Sequence, residues 1–315
     1  MRRILGASLL VLAFFCLCLA PLVRFQVADD LVVFPADETS KITLVGGGAR
    51  YLNTGSGAMV EGADLVSTVT VRGVPGESTD EVAVWDSFTA TEDSGTGGLL
   101  ETRTWRMAFD RKSGELRNCC GAALDLDNGV NQSGLGVLWP LADVRKRDYQ
   151  RFDPATRRTW TSRFDGTDRI DGHEAYRFVQ HVEPTVVGRV AEVPGAVLGL
   201  KSPEPVPADR VYEGTGTAWV DPRTGMVLDF RQQATLRLRT ADGVDRATVL
   251  DTDLRLDEAT RKAGVKAADD SAKAISTVRL VIPAASLALG LILLVTGILV
   301  VRRPSGREDT APVER

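Results

Sequence analysis

Ala218-Trp-Val-Asp-Pro-Arg-Thr-Gly-Met-Val-Leu-Asp-Phe230 reads as an aromatic strand, a tight turn and a return strand. Asp221 opens the turn, because a short carboxylate can accept from backbone N–H groups just ahead of it. Pro222 presets φ for the second position of a type I turn, and Gly225 supplies the positive φ from which the chain returns. Upstream, Trp105-Arg-Met-Ala-Phe109 leads into Asp110-Arg-Lys-Ser-Gly114 by the same logic. Phe152-Asp-Pro-Ala-Thr156 keeps the Asp and Pro and has lost the Gly, and Asp165-Gly166 and Asp171-Gly172 mark further reversals.

Outward from these turns, residues 31–256 carry short runs rich in Val, Thr, Trp, Tyr and Phe, separated by Gly, Asp, Pro and Ser. Several alternate with period two. Tyr176, Phe178, Gln180 and Val182 oppose Arg177, Val179 and His181, and Leu236 and Leu238 oppose Arg237 and Arg239. Such strands place one face on a core and the other in water. The expected fold is a mainly β domain of curved antiparallel sheets or a sandwich, and the repeated turn hints at two related halves.

Two stretches lie outside that rhythm. Residues 4–23 and 280–301 contain no charge, with Arg2, Arg3 and Arg24 flanking the first and Arg279, Arg302 and Arg303 flanking the second. At about 1.5 Å per residue, each can cross a hydrocarbon core of about 30 Å as a helix. The exit Cys-Leu-Ala-Pro-Leu-Val-Arg24 is a poor cleavage site, since Pro21 follows the one small residue, so the first span reads as a retained anchor. The basic residues beside each span hold both ends inside, leaving 1–3 and 302–315 cytoplasmic and 24–279 outside. The chain holds 38 Lys plus Arg against 42 Asp plus Glu. With the two ends set aside, the outer part is left near −7, which excludes a basic nucleic-acid footprint.

Residues 188–214, with Pro194, Pro203, Pro205 and Pro207, read as a long loop whose tip is Val193-Pro-Gly-Ala-Val-Leu-Gly-Leu200. Its apolar residues Val193, Pro194, Val197, Leu198 and Leu200 are the candidate ligand- or partner-binding positions, able to tuck over the core, rest on a membrane surface or meet a partner. Residues 257–279, rich in Ala, Lys and Asp, read as a polar helical stalk leading into the second span.

Chemistry-bearing motifs are scarce. Asp125-Leu-Asp127-Asn-Gly129 has the flavour of a calcium loop, but its Gly falls at position 5 rather than 6, and an acidic turn reads better. His173 and His181 are expected on opposite faces or different strands, with no Cys or carboxylate at ligand spacing. Cys16 and Cys18 lie in the first span, while Cys119 and Cys120 are adjacent, a spacing at which an ordinary disulfide does not form. No nucleophile elbow, phosphate loop or dinucleotide fingerprint occurs. The sequence therefore points to a non-enzymatic protein, with no metal and no cofactor expected.

The two spans, Gly134-Leu-Gly-Val-Leu-Trp-Pro140, Ile170-Asp-Gly-His-Glu-Ala-Tyr-Arg-Phe178, Val193-Pro-Gly195 and Trp219-Val-Asp-Pro-Arg-Thr-Gly225 together resemble the actinobacterial membrane-protein family usually labelled porin PorA. The resemblance implies a cell-envelope protein of a high-GC Gram-positive bacterium and brings no catalytic residues with it. The physics of the strands argues against a barrel crossing the membrane, because their outward positions carry Arg, Asp and Glu. The Trp219 hairpin is also similar to turns in the curved sheets of envelope lipid carriers of the lipoprotein-localisation type, which implies a concave apolar face suited to a lipid or lipoglycan. The expected function is an envelope protein, set in the lipid bilayer, whose outer β domain binds a lipidic component or a membrane-protein partner. The alternatives are an oligomeric channel packed through Ala284, Ala285, Ala288 and Gly290, and an envelope hydrolase working through scattered carboxylates.

Overall fold

Period-two alternation along residues 39–256 produces twelve strands in a computed structural model that describes residues 2–202 and 204–302. Pro203 and the tail from Arg303 onward, including the expected cytoplasmic positions Arg303 and Arg307, lie outside the described residues. The chain divides into two compact units, residues 33–272 and the pair 1–32 with 273–315.

In the larger unit, β1 (Thr39–Asn53), β2 (Ala58–Gly73), β3 (Val82–Asp93), β4 (Gly98–Asp110) and β5 (Leu116–Arg117) form one meander. A second meander runs through β7 (Tyr149–Asp153), β8 (Arg158–Ile170), β9 (His173–Val193), β10 (Val206–Val220), β11 (Val227–Arg239) and β12 (Asp245–Leu256). β1 pairs antiparallel with β12, so the meanders fuse into one sheet of order β5-β4-β3-β2-β1-β12-β11-β10-β9-β8-β7, with β6 (Ala123–Leu124) on β4. The sheet curls into a half-barrel.

The strands are long, not short as the sequence suggested; β9 alone spans 21 residues. Gly and Pro positions that read as breaks are bulges instead, with register shifts between Val45 and Arg50 on β1 and between Tyr212 and Gly214 on β10. A bulge adds twist and bend without ending pairing, which lets a long strand follow a curled sheet. For the same reason the expected long loop at 188–214 shrinks to the connection 194–205 between β9 and β10.

The turn chemistry recurs more often than the sequence reading found. Asn53, Asp93, Asp110, Asp153 and Asp221 each open a hairpin and accept a backbone N–H two or three residues on with a side-chain oxygen. Four positions later the chain takes positive φ at Gly57, Gly97, Gly114, Arg157 and Gly225. Arg157, at φ 57°, stands where the third copy lacks its Gly. The turn serves hairpins in both meanders, so its repetition follows from local backbone demands.

The sheet's two edges meet through a clasp. Leu116 N donates to Gly134 O, Leu135 N donates to Gln150 O, and Phe152 N donates to Leu135 O, each at 2.8 Å. Leu135 thus pairs antiparallel with Glu115 and parallel with Arg151 of β7. Just beyond it, Trp139 is fully buried, stacked on Phe178 at 4.3 Å and edge-on to Tyr149 at 5.4 Å.

In the smaller unit, α1 (Arg2–Leu22) continues through a π-turn (Val23–Val27) into α2 (Ala28–Leu31). After β12, α3 (Glu258–Ser276), which belongs to the larger unit up to residue 272, passes through a second π-turn (Thr277–Val281) into α4 (Ile282–Arg302). Pro283 follows the second π-turn; a proline removes one helix donor and crowds the preceding turn, and a wider turn relieves both. α1 and α4 pack antiparallel, with Leu17 against Gly290 and Leu10 against Gly297. Both helices are long and apolar enough to cross a membrane, and Phe14, Phe15, Ile292 and Leu299 remain exposed on their outer faces.

Gly134 sits at φ 75°, and a Cβ there would lie 2.5 Å from Gln150 O. Replacing Gly134 with Ala is expected to cost about 2 kcal/mol or more, from the left-handed backbone and the clash together. Denaturant unfolding followed by tryptophan fluorescence measures it; an unchanged midpoint would show that the clasp bears no load.

Candidate functional site

Side chains on the concave face fall into tiers along the strands. Toward the hairpin ends at 54–57 and 240–244 the face is apolar. Val182, Tyr212, Ala234 and Leu236 form one group with the half-buried Trp160, Val187, Val249 and Leu250. Val193, Leu198, Ala208 and Leu238 form another with Val197, Leu200 and Ala247.

The connection 194–205 folds onto this second group, wound by Leu198 N and Leu200 N both donating to Gly195 O at 3.0 and 2.8 Å. The five candidate residues are therefore divided. Val193 and Leu198 are pegs in the core, 4% and 2% exposed, while Pro194 is exposed. Val197 and Leu200 are half-buried. Of the five, Val197 lines a cleft of about 390 Å³, together with Arg50, Leu52, Met59 and Glu61 of the β1–β2 hairpin and Ala247 and Thr248 of β12. That volume lies in the usual range of small-molecule sites, about 300–1,000 Å³.

Deeper on the concave face the tiers turn polar. Arg151 donates to Gly136 O at 2.9 Å and lies over the Trp139 ring at 4.9 Å. Burial pushes its guanidinium down to about 10, against the pull of Asp153, so it remains a cation at neutral pH. Ser162 Oγ and Trp139 Nε1 are buried without a hydrogen-bond partner among the described residues. Gln180 Nε2 donates to Arg151 O at 2.9 Å. Burial first, then Asp153, raises the Tyr212 phenol, while the hydrogen bond from Gln232 opposes them. This tier offers donors in excess of carboxylates and suits an oxygen-bearing group.

The convex face has a different character. Arg231 pairs with Asp253, Arg237 with Glu213, Arg239 with Asp245 at 2.6 Å, and Arg106 with Asp86 at 2.7 Å and Glu77 at 3.0 Å. Converging carboxylates are bridged by arginine, Asp165 and Asp168 at Arg177, and Asp221 and Asp269 at Arg223. The two histidines share the outer face of β9, about 26 Å apart along the strand, which corrects the expectation of opposite faces or different strands.

His173 Nε2 meets Asp269 Oδ2 of α3 at 2.9 Å, 96 residues away in the chain. Arg261 reaches Asp171 at 3.4 Å, and Ala268 is buried against Ala175 and Leu228. The expected polar stalk is thus packed on the sheet over this stretch. Asp125 and Asp127 both face Arg157, at 4.0 and 2.8 Å, as an acidic turn paired with a cation.

A family model described as Porin PorA matches residues 5–299 of the chain. No curated protein matches it.

At the rim of the apolar tier, Tyr51 Oη donates to Asp93 Oδ2 at 2.9 Å and ties β1 to the end of β3. The Gly95 N–H, then the Tyr51 hydroxyl, hold the Asp93 carboxyl below the ordinary carboxylate range. A depressed carboxyl contributes stability that is full above its unfolded value, about 3.9, and is lost as pH falls through the folded one. Asp93→Asn should therefore lower the unfolding midpoint at pH 7, and the gap to wild type should close below about pH 4. Denaturation curves at both pH values check this; a gap constant with pH would mean the charge is irrelevant.

Proposed function

The chain belongs to the Porin PorA family, and from that premise we propose an envelope membrane protein whose β unit holds an amphiphile, a lipid or lipoglycan, against the concave face of its sheet. The observation that carries this reading is the half-covered apolar tier of Trp160, Val187, Val249 and Leu250, opening beside the cleft at Val197. An acyl chain laid on that wall removes apolar surface from water at roughly 25 cal/mol per Å². Deeper in, Ser162 Oγ and Trp139 Nε1 lack partners among the described residues, and a polar end group reaching them would supply one, beside an Arg151 already held by Gly136 O.

The family description suggests a porin, and the convex face bears on how such a protein could meet lipid. A barrel crossing the membrane turns its outer face to hydrocarbon, where each Arg costs about 2–4 kcal/mol near the midplane. The arginine–carboxylate ladder of β10–β12 favours water on that side. Lipid contact then falls to α1 and α4, with both ends of the chain cytoplasmic and residues 24–279 outside. Ala284, Ala285 and Ala288 are exposed on α4, leaving room for further helices should the helix pairs assemble into a channel.

Protein purified in mild detergent should retain an extractable amphiphile, and Ala247→Trp, which fills the cleft, should weaken binding of a fluorescent fatty acid about tenfold. A wild-type protein that carries no lipid, ignores the probe and conducts in a planar bilayer would replace this reading with the channel.

For topology, a fluorescent-protein fusion at the carboxyl end should fluoresce and an alkaline phosphatase inserted at 240–244 should be active. The reversed pair would overturn the orientation.

A further inference from the structure

Cys119 and Cys120 are both exposed, and no part of the lipid-binding reading uses them. They are neighbours in the chain, and Cys120 takes the left-handed region at φ 56°. The turn that displays them is pinned on both sides. Before it, Asn118 Nδ2 donates to Asn131 Oδ1 at 2.7 Å and to Gln132 O at 2.9 Å, while Asn118 Oδ1 accepts from Gln132 N at 2.8 Å. After it, Ala122 N donates to Cys119 O at 2.9 Å, and Ala122 is buried against Val84 and Ala108. Neither thiol is anchored in a core, yet the backbone holds the two together. A pair of structural apolar fillers would sit inside instead, as Cys16 does.

We propose that Cys119 and Cys120 are a redox-modification site, closing to a ring disulfide by exchange with the disulfide of an envelope thiol oxidase. In the first step the thiolate of Cys120 attacks one sulfur of the oxidant's disulfide, forming a mixed disulfide and releasing one thiolate. In the second, the sulfur of Cys119 attacks the Cys120 sulfur, its proton passes to a released thiolate, and the oxidant leaves as a dithiol. The two cysteines lose two electrons and the oxidant gains them. Partial desolvation, then the neighbouring Cys120 thiol, pushes Cys119 up to about 11, which assigns it the second, resolving step.

Adjacent Cα atoms stand about 3.8 Å apart, closer than the 4.4–6.8 Å of ordinary disulfides, so such a ring is strained. Strained and exposed disulfides are the easily reduced, regulatory kind. The position gives the modification something to act on. Asn118 is bonded to residues 131 and 132, Gln132 Oε1 accepts from Trp105 Nε1 at 2.8 Å, and the same segment runs into the Gly134–Leu135 clasp.

The test uses the full chain in detergent with Cys16→Ser and Cys18→Ser, treated with oxidised glutathione and read by intact and peptide mass spectrometry. The expected product has lost two hydrogen atoms, carries the bond between 119 and 120, and reverts with dithiothreitol. Cys119→Ser should stop at a glutathione adduct on Cys120. Cys120→Ser should react more slowly than Cys119→Ser, because the desolvation that raises the Cys119 thiol remains when its neighbour is gone. Stable adducts on both sulfurs, or a disulfide-linked dimer as the main product of a folded chain, would overturn the proposal. The compartment reading fails separately: a ring formed in vitro but thiols trapped free in cells would place residues 119–120 on the reducing side.

Discussion

Three backbone hydrogen bonds at Gly134 and Leu135 decide what kind of object the β unit is. A curled sheet without them leaves two rows of unpaired N–H and C=O groups, at β5 and at β7, open to water or to another chain. With Leu135 between Glu115 and Arg151, the ladder continues from one edge to the other at that level, and the curl is held there. The segment then delivers Trp139 into the interior, where Phe178, Tyr149 and Arg151 close around it. One end of the half-barrel is consequently filled. The space that a ligand could use lies toward the other end, beside the 194–205 connection.

From that asymmetry follows the division of chemistry between the two faces. The convex face carries cross-strand arginine–carboxylate pairs, each worth little singly, and a face so charged suits water better than hydrocarbon. The concave face runs from apolar side chains at the mouth to donors that lack acceptors deeper in. An amphiphile matches such a gradient better than a purely apolar or purely ionic ligand does, since each part of it meets the surface that would otherwise be unfavourably hydrated or unsatisfied. α1 and α4, both long and apolar enough to cross a membrane, approach closely at Gly290 and Gly297 without needing a polar contact.

The two apolar spans were legible because their signal is local: twenty or so residues without a charge cannot be a surface element. The hairpins at Asp110, Asp153 and Asp221 were legible for a similar reason, since an Asp-led turn closing on a left-handed residue is written within five positions. Even there, Arg157 in the glycine position and the related turns at Asn53 and Asp93 went unread, because their residue types vary while their geometry does not. Val193 and Leu198 stood out as apolar in a polar stretch, and the structure buries both in the core. Hydrophobicity alone cannot distinguish a peg in the core from the wall of a cleft, and of the five it is Val197 that lines the cleft beside β12.

By itself the sequence determined that this chain is mainly β between two apolar helices, because alternation, turn residues and uncharged runs are properties of neighbours along the chain. The tertiary structure decided that the strands form one clasped sheet, that its inside is tiered, and that His173 meets Asp269 across 96 residues. Those facts depend on which distant backbone groups pair and which side chains a curved sheet turns inward. Pairing energies of that kind are set by the register and the bulges of whole strands, and no short window of residues contains them.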